Sequence, residues 1–161
     1  MGIRDNDLVF KGTGLVSTGS TTATYSDVLD LSAGLTQTGF FGSSEGDRAV
    51  GDPTYYLQFN FTGGSIIGGN VTLTLVSGAT AAVAITAGAT EVFEIGVFGT
   101  STTVGTRVSR RFSPNELTLP FVAIRVERSA AITGNGVLEA AITWDNRDVE
   151  IYPLAYTQGR I

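Results

Sequence analysis

The sequence contains no cysteine and no histidine. These two absences exclude thiolate nucleophiles, imidazole bases, iron–sulfur clusters and nearly every kind of zinc site. Carboxylates are therefore the main groups left for acid–base or metal chemistry. Because no disulfide can form, the sequence indicates neither an oxidising nor a reducing compartment. At 161 residues the chain is long enough to bury a core without disulfides or metals.

One short motif resembles a catalytic one. Residues 42–46, GSSEG, match the Gly-x-Ser-x-Gly pattern around the nucleophilic serine of α/β-hydrolases. Such a serine needs a base, nearly always histidine, and the preceding SAGLTQTGFF has no strand-like alternation. We therefore interpret Ser44 as part of a glycine- and serine-rich loop. The nearby acids Glu45, Asp47 and Asp52 match neither a calcium loop nor a sugar cleft, so we expect no enzyme activity, no metal site and no cofactor.

Charge argues against several classes of partner. The net charge is −5 and only one of the ten basic residues, Lys11, is a lysine. An acidic chain is unsuited to neutralising phosphates, so we expect no nucleic acid partner. Apolar runs are too interrupted to span a membrane, and the charged stretch MGIRDNDLVF does not match a secretory signal. We expect the protein to act where it is made or to be released by lysis, without a membrane partner.

Alternation of apolar and polar residues with a period of two is the main structural signal. It predicts strands over residues 54–61, 70–77, 80–86, 91–98, 106–112, 121–128 and 137–144, and within LVFK and TATYSDVLDL near the N-terminus. Residues predicted to face the core are Tyr55, Leu57, Phe59, Phe61, Val71, Leu73, Leu75, Leu138, Ala140, Ile142 and Trp144. Those predicted to face solvent are Tyr56, Gln58, Asn60, Glu139, Ala141 and Thr143.

Nine short strands separated by Gly-, Asn- and Pro-containing turns predict an all-β fold, a single antiparallel β-sandwich or jelly roll. We expect one domain over residues 1–161, with a sandwich over 8–145. An N-terminal arm (1–7), a long loop (32–52) and a C-terminal arm (146–161) would extend from it.

The long loop and the C-terminal arm contain the candidate partner-binding residues. Loops of about twenty residues in a compact domain are usually functional or disordered, and a terminal segment rich in apolar residues is seldom left undocked. Adjacent aromatics in the loop either pack beneath it or anchor a partner. The candidates are Phe40, Phe41, Arg147, Ile151, Tyr152, Leu154 and Tyr156.

Two interpretations stay open for a group of arginines on strands predicted to be neighbours. They could hold a carboxylate-rich partner surface, or they could pair across strands with glutamates, which we favour. The arginines are Arg107, Arg110, Arg111, Arg125 and Arg128, and the glutamates are Glu94, Glu116 and Glu127.

Six pieces of the chain carry a family resemblance: LVFKGTG, TATYSDVLDLS, GDPTYYLQFNFTG, NVTLTLVSGAT, SRRFSPNELTLPFVAIRVERS and GNGVLEAAITWD. In this order, over roughly residues 8–145, they resemble the small jelly-roll capsid cement proteins of tailed bacteriophages, the type known from Bordetella podoviruses. The resemblance implies a structural virion protein, made in the host cytoplasm, on the outer surface of the capsid. Its expected partners are the major capsid protein and itself, as a homodimer or homotrimer.

An alternative function is a carbohydrate-binding jelly-roll module of a phage fibre or adhesin. Such a module predicts aromatic side chains exposed together on one sheet face. In this chain Tyr25, Tyr55 and Tyr56 would have to form that face.

Overall fold

A computed structural model describes residues 9–31, 55–112 and 116–143. Within these residues the chain forms two antiparallel sheets and one short helix, which confirms the predicted all-β sandwich. The strands are β1 (Val9–Phe10), β2 (Thr24–Tyr25), β3 (Leu29–Asp30), β4 (Tyr55–Gly63), β5 (Val71–Gly78), β6 (Thr90–Phe98), β7 (Arg107–Phe112), β8 (Phe121–Arg128) and β9 (Val137–Thr143), and the helix is α1 (Ala81–Ala84).

The strand order is that of a jelly roll. The first sheet has the order β1-β9-β4-β7 and the second the order β2-β8-β5-β6, with β3 also paired to β8. Apart from the β2–β3 and β5–β6 links, every connection crosses from one sheet to the other. Strands far apart in the sequence therefore become neighbours, as where Leu57 of β4 lies opposite Ile142 of β9.

The core fills the space between the two sheets. Leu57, Phe59 and Phe61 of β4 and the alternate residues of β5, β8 and β9 form one buried cluster. Aromatic rings join the sheets directly, because the ring centroids of Phe59 and Phe98 are 4.5 Å apart. Confirmed among the predicted inward-facing residues are Leu57, Phe59, Phe61, Val71, Leu73, Leu75, Leu138, Ala140 and Ile142.

Two predicted strands are wrong in detail. Residues 80–86 contain helix α1 instead of a strand, because the Thr80 side chain accepts a hydrogen bond from the Val83 N–H and so caps a helical turn. The stretch TATYSDVLDL forms two strands of two residues, β2 and β3, instead of one. The Ser26 hydroxyl accepts the Ile124 N–H between them, so a side chain replaces the backbone at this point of the ladder.

Two residues predicted to face solvent are buried. Gln58 and Ala141 do lie on the outer face of the first sheet, directly opposite each other, but they are only 2% and 5% exposed. Both belong to strands with a neighbour on each side, so side chains of adjacent strands cover them. The side chains of Tyr55 and Thr143, and the whole of Trp144, are outside the described part of the structure.

Candidate functional site

All the residues predicted from the sequence to bind a partner are outside the described residues, and so are the predicted arms and the long loop. Their roles stay predictions. They are Phe40, Phe41, Arg147, Ile151, Tyr152, Leu154 and Tyr156. The motif serine Ser44 and the acids Glu45, Asp47 and Asp52 are outside as well.

The described residues that flank these segments lie at one end of the sandwich, which we call the exit end. β4 begins there at Tyr55, which pairs with Phe112 at the end of β7. β9 ends there at Thr143, and Val9 of β1 pairs with Ala141 just before it. In the second sheet, the described chain after β3 stops at Leu31, whose N–H is bonded to Pro120 O just before β8. Antiparallel pairing therefore brings every boundary of the described chain to the exit end.

The opposite end, which we call the loop end, is closed by four connections: residues 12–23, which with Lys11 connect β1 to β2, and residues 64–70, 99–106 and 129–136. Backbone hydrogen bonds join the connections 12–23, 64–70 and 129–136 to one another, and the connection 99–106 is bonded to Phe61 of β4. Gly19 and Ile132 exchange two such bonds, and Thr133 donates to Ile67. A Cβ at Gly64, where φ is +72°, would collide with the backbone carbonyl of Asn135, so the connections pack backbone against backbone.

A fully buried serine lies at the centre of the loop end. The Ser17 hydroxyl donates to Gly134 O at 2.9 Å and accepts the Gly136 N–H at 2.7 Å. It thus joins the connection 12–23 to the connection 129–136, and a further contact at 3.2 Å reaches Ser65 O. One side chain therefore holds three of the four connections together.

A buried arginine fixes the same region from the second sheet. Arg128, at the end of β8, is 5% exposed and donates to Ser17 O and Val16 O, each at 2.7 Å, and to Thr24 Oγ1 at 3.0 Å. Burial lowers the pKa of Arg128. The neutral oxygens of residues 16–24 hold this guanidinium, so Arg128 is part of the fold and does not belong to an arginine surface.

Among the connections of the loop end, the β1–β2 connection contains one charged residue, the exposed Lys11, and the other three contain none, although the chain has 10 basic and 15 acidic residues. The loop end also exposes aliphatic side chains. Val104, in the connection 99–106, is 58% exposed, and Ile67, in the connection 64–70, is 52% exposed. Val137, the first residue of β9, is 46% exposed, and Val97 near the end of β6 is 55% exposed. Val97 pairs with Thr72 on the outer face of the second sheet, whereas Val137 lies on the outer face of the first sheet with Glu139, so these side chains do not form one surface.

Contacts at the end of β4 hold two of these exposed aliphatic residues. The Gly105 N–H, next to Val104, donates to Phe61 O at 2.8 Å, and the Thr62 hydroxyl approaches Val137 O at 3.4 Å. Val104 and Val137 therefore flank the end of β4. Sequence reasoning missed these exposed side chains, although the absence of charge from three of the four connections was a usable signal.

The other arginines are divided between the two sheets, so the prediction that β7 and β8 are neighbours is wrong. On the outer face of the second sheet, Arg125 pairs with Glu91 and, at 3.2 Å, with Glu127. Burial lowers the pKa of Arg125, but the hydrogen bond to Glu91 and the two carboxylate charges outweigh it, and the pKa is raised. Glu127 does pair with an arginine, but with one on its own strand and not across strands as predicted, and the cross-strand pairing with Glu91 was missed.

Arg110 connects the free edges of the two sheets. Its guanidinium carbon lies 4.1 Å from the centre of the Phe93 ring of β6, and Nη1 donates to Glu94 O at 2.6 Å. Glu94 therefore does bind an arginine, as expected, but it accepts the hydrogen bond through its backbone carbonyl. Together with the positions of Arg125 and Arg128, this leaves no single face that carries all five arginines.

Two of the three tyrosines named for sugar binding, Tyr25 and Tyr56, do not share a face, and the side chain of Tyr55 is outside the described residues. Tyr25 pairs with Arg125 in the second sheet, whereas Tyr56 is on the outer face of the first sheet opposite Arg111. The two rings therefore belong to opposite sides of the sandwich.

At the exit end, residues 79–89 connect β5 to β6, and this connection contains helix α1. Ala84 is fully buried, whereas Val83 and Ile85 are 39% and 44% exposed. The Thr86 hydroxyl donates to Val83 O at 2.9 Å and closes the turn. This connection therefore exposes aliphatic residues at the exit end, as the connections of the loop end do at the other.

No helix in the described part of the chain is long and apolar enough to cross a membrane. Among the same residues there is no group of three or more carboxylates that could hold a metal ion. In sequence comparisons the chain matches no protein-family model and no curated protein.

Proposed function

We propose that the protein is a capsid cement protein, which binds the outside of the mature phage head and stabilises contacts between major capsid subunits. The sequence resemblance supports this function, and the jelly-roll order fits it. The observation that carries the proposal is the exit end, where the described chain stops at Val9, Leu31, Tyr55 and Thr143. A sandwich that presents the residues flanking these segments at one end is suited to binding neighbouring subunits through that end.

The physical basis of cementing is linkage. A protein that binds only the expanded shell adds its binding free energy to the stability of that shell. Many copies on a repeating lattice strengthen a weak single contact. The partners in this proposal are the major capsid protein and a second copy of the chain, and the location is the outer surface of the virion.

Within this proposal, the contacts to the shell come from the loop 32–52, with Phe40 and Phe41, and from the terminal arms. Deletion of residues 147–161 combined with Phe40→Ser and Phe41→Ser should reduce the number of copies bound per head. Wild-type occupancy in that variant would remove these residues from the contact surface, while leaving the cement function itself open to the next experiment.

Co-sedimentation tests the function. Purified protein is mixed with expanded heads of its own phage that lack it, and unexpanded proheads serve as the control. We expect saturable binding to expanded heads and survival of those heads at a higher temperature. Binding to neither shell, together with binding on a glycan array, would replace the proposal with the carbohydrate-binding alternative.

A further inference from the structure

Residues 135 and 136 form an Asn-Gly pair, the dipeptide most prone to spontaneous deamidation. The backbone nitrogen that follows an asparagine can attack the carbon of the side-chain amide, and a following glycine leaves this approach open because it has no Cβ. Asn135 is the only asparagine of the chain that precedes a glycine. It is exposed in the connection 129–136, so water reaches the place where the reaction would occur.

Packing at the loop end explains why residue 136 is glycine. A Cβ at this position would lie 2.5 Å from the Phe61 ring and 2.8 Å from Ser17 Oγ. Both neighbours are fully buried, and in a close-packed interior neither can move aside without disturbing the core. The fold therefore keeps a chemically labile pair at a position where no larger residue fits.

The same packing holds both reacting groups. The Gly136 N–H, whose nitrogen is the nucleophile, donates to the buried Ser17 Oγ at 2.7 Å. The carbonyl oxygen and the Oδ1 of Asn135 lie against Gly64, so closely that a Cβ at residue 64 would collide with them. Ring closure requires the nitrogen and the side-chain carbon to approach in one defined geometry. Gly136 must therefore give up its hydrogen bond to Ser17 before it can react.

We propose that Asn135 is a deamidation site and that the Ser17 hydroxyl controls its rate. In the reaction, the Gly136 nitrogen loses its proton to water or hydroxide and bonds to Asn135 Cγ. The bond from Cγ to Nδ2 breaks, ammonia leaves, and a cyclic succinimide remains. Water then opens the ring at either carbonyl, which gives aspartate or isoaspartate at residue 135. Because the hydrogen bond to Ser17 must break first, the reaction proceeds through local opening of the connection 129–136.

The products cannot restore the native contacts of the loop end. Isoaspartate adds one carbon to the main chain directly before β9, whose first residue, Val137, is paired with Gly63. The Gly136 N–H then cannot return to Ser17 while Val137 keeps this pairing. A brief opening is thus converted into a permanent change, and this chemistry is independent of the proposed function.

Peptide mapping by mass spectrometry tests the inference on the full-length protein after incubation at mildly alkaline pH. We expect Ser17→Ala to raise the deamidation rate at Asn135 at least about tenfold, because loss of the buried acceptor increases the population of the opened form. Ser20→Ala removes an exposed hydroxyl from the same connection and should leave the wild-type rate unchanged. Asn70, which precedes Val71, is the internal reference in each sample.

A second comparison separates this hydrogen bond from overall stability. Wild-type protein is incubated in the urea concentration that lowers its free energy of unfolding as much as Ser17→Ala does. Urea acts mainly on openings that expose much surface, so we expect slower deamidation at Asn135 than in the variant. Equal rates would overturn the inference. In wild type alone, we expect the Gly136 amide to be protected from hydrogen exchange, and exchange as fast as that of an exposed amide would overturn it as well.

Discussion

The loop end and the exit end terminate the same two sheets but are held by different contacts. At the loop end, a buried serine and a buried arginine bond to backbone atoms of connections that are remote in sequence. Towards the exit end, on the outer face of the second sheet, Arg125 of the same strand β8 pairs with Glu91, whose side chain is 63% exposed. The two arginines, three positions apart, therefore have different partners: Arg128 is buried against backbone carbonyls, whereas Arg125 forms ion pairs on the outer face. The reason is that successive residues of a strand alternate between core and solvent.

The difference shows which contacts specify the fold and which contribute little to its stability. Buried polar contacts that join distant segments specify a single arrangement of the connections, whereas solvent-exposed pairs contribute little. Stability should therefore depend strongly on loop-end residues and weakly on charged residues near the exit end.

The largest effect is expected for Arg128→Ala. The change leaves the carbonyls of Val16 and Ser17 without their donor, partly offset by the removal of a buried charge. We expect the free energy of unfolding, measured by urea denaturation, to fall by about 3 kcal/mol. The control is Arg110→Ala, an exposed arginine with one backbone hydrogen bond and a contact to the Phe93 ring, which should cost less than about 1 kcal/mol. Equal losses for the two variants would break the comparison.

Ser17→Ala should have the next largest effect. The alanine fits the site, but it leaves the buried Gly136 N–H without an acceptor and removes one donor from Gly134 O. We expect a loss of about 2 kcal/mol in the same measurement. Ser20→Ala is the matched control, since the Ser20 hydroxyl accepts only an exposed bond from the Thr22 N–H, at 3.3 Å, and its loss should cost less than about 0.5 kcal/mol.

The sequence predicts the sandwich well where each strand alternates cleanly. Leu57, Phe59 and Phe61 lie in the core as expected, because burial on one face forces the period of two. Helix α1 was missed because residues 80–86, which are all Ala, Val, Ile or Thr, suit either a strand or a helix. The cap made by Thr80 decided the outcome.

The loop end was harder to predict, because it depends on which strands become neighbours. Arg128 is two positions after the buried Val126, so alternation alone predicts that Arg128 faces the core side of β8 and that Arg125 faces the outer side. The acceptors of Arg128 in residues 16–24 are more than a hundred positions away, and only the sheet order brings them together. The common position of the chain boundaries at the exit end depends on the same order.

The smallest effect is expected for Glu91→Gln. Arg125 loses its ion pair with a side chain that is 63% exposed but keeps Glu127 at 3.2 Å. We expect the free energy of unfolding to fall by about 0.5 kcal/mol at low salt, and the difference from wild type to shrink in 1 M NaCl, where the Debye length is about 3 Å. Glu139→Gln, on the exposed outer face of the first sheet, is the control and should change stability still less. A loss for Glu91→Gln as large as that for Ser17→Ala would mean that the outer face of the second sheet contributes as much to the fold as the loop end does.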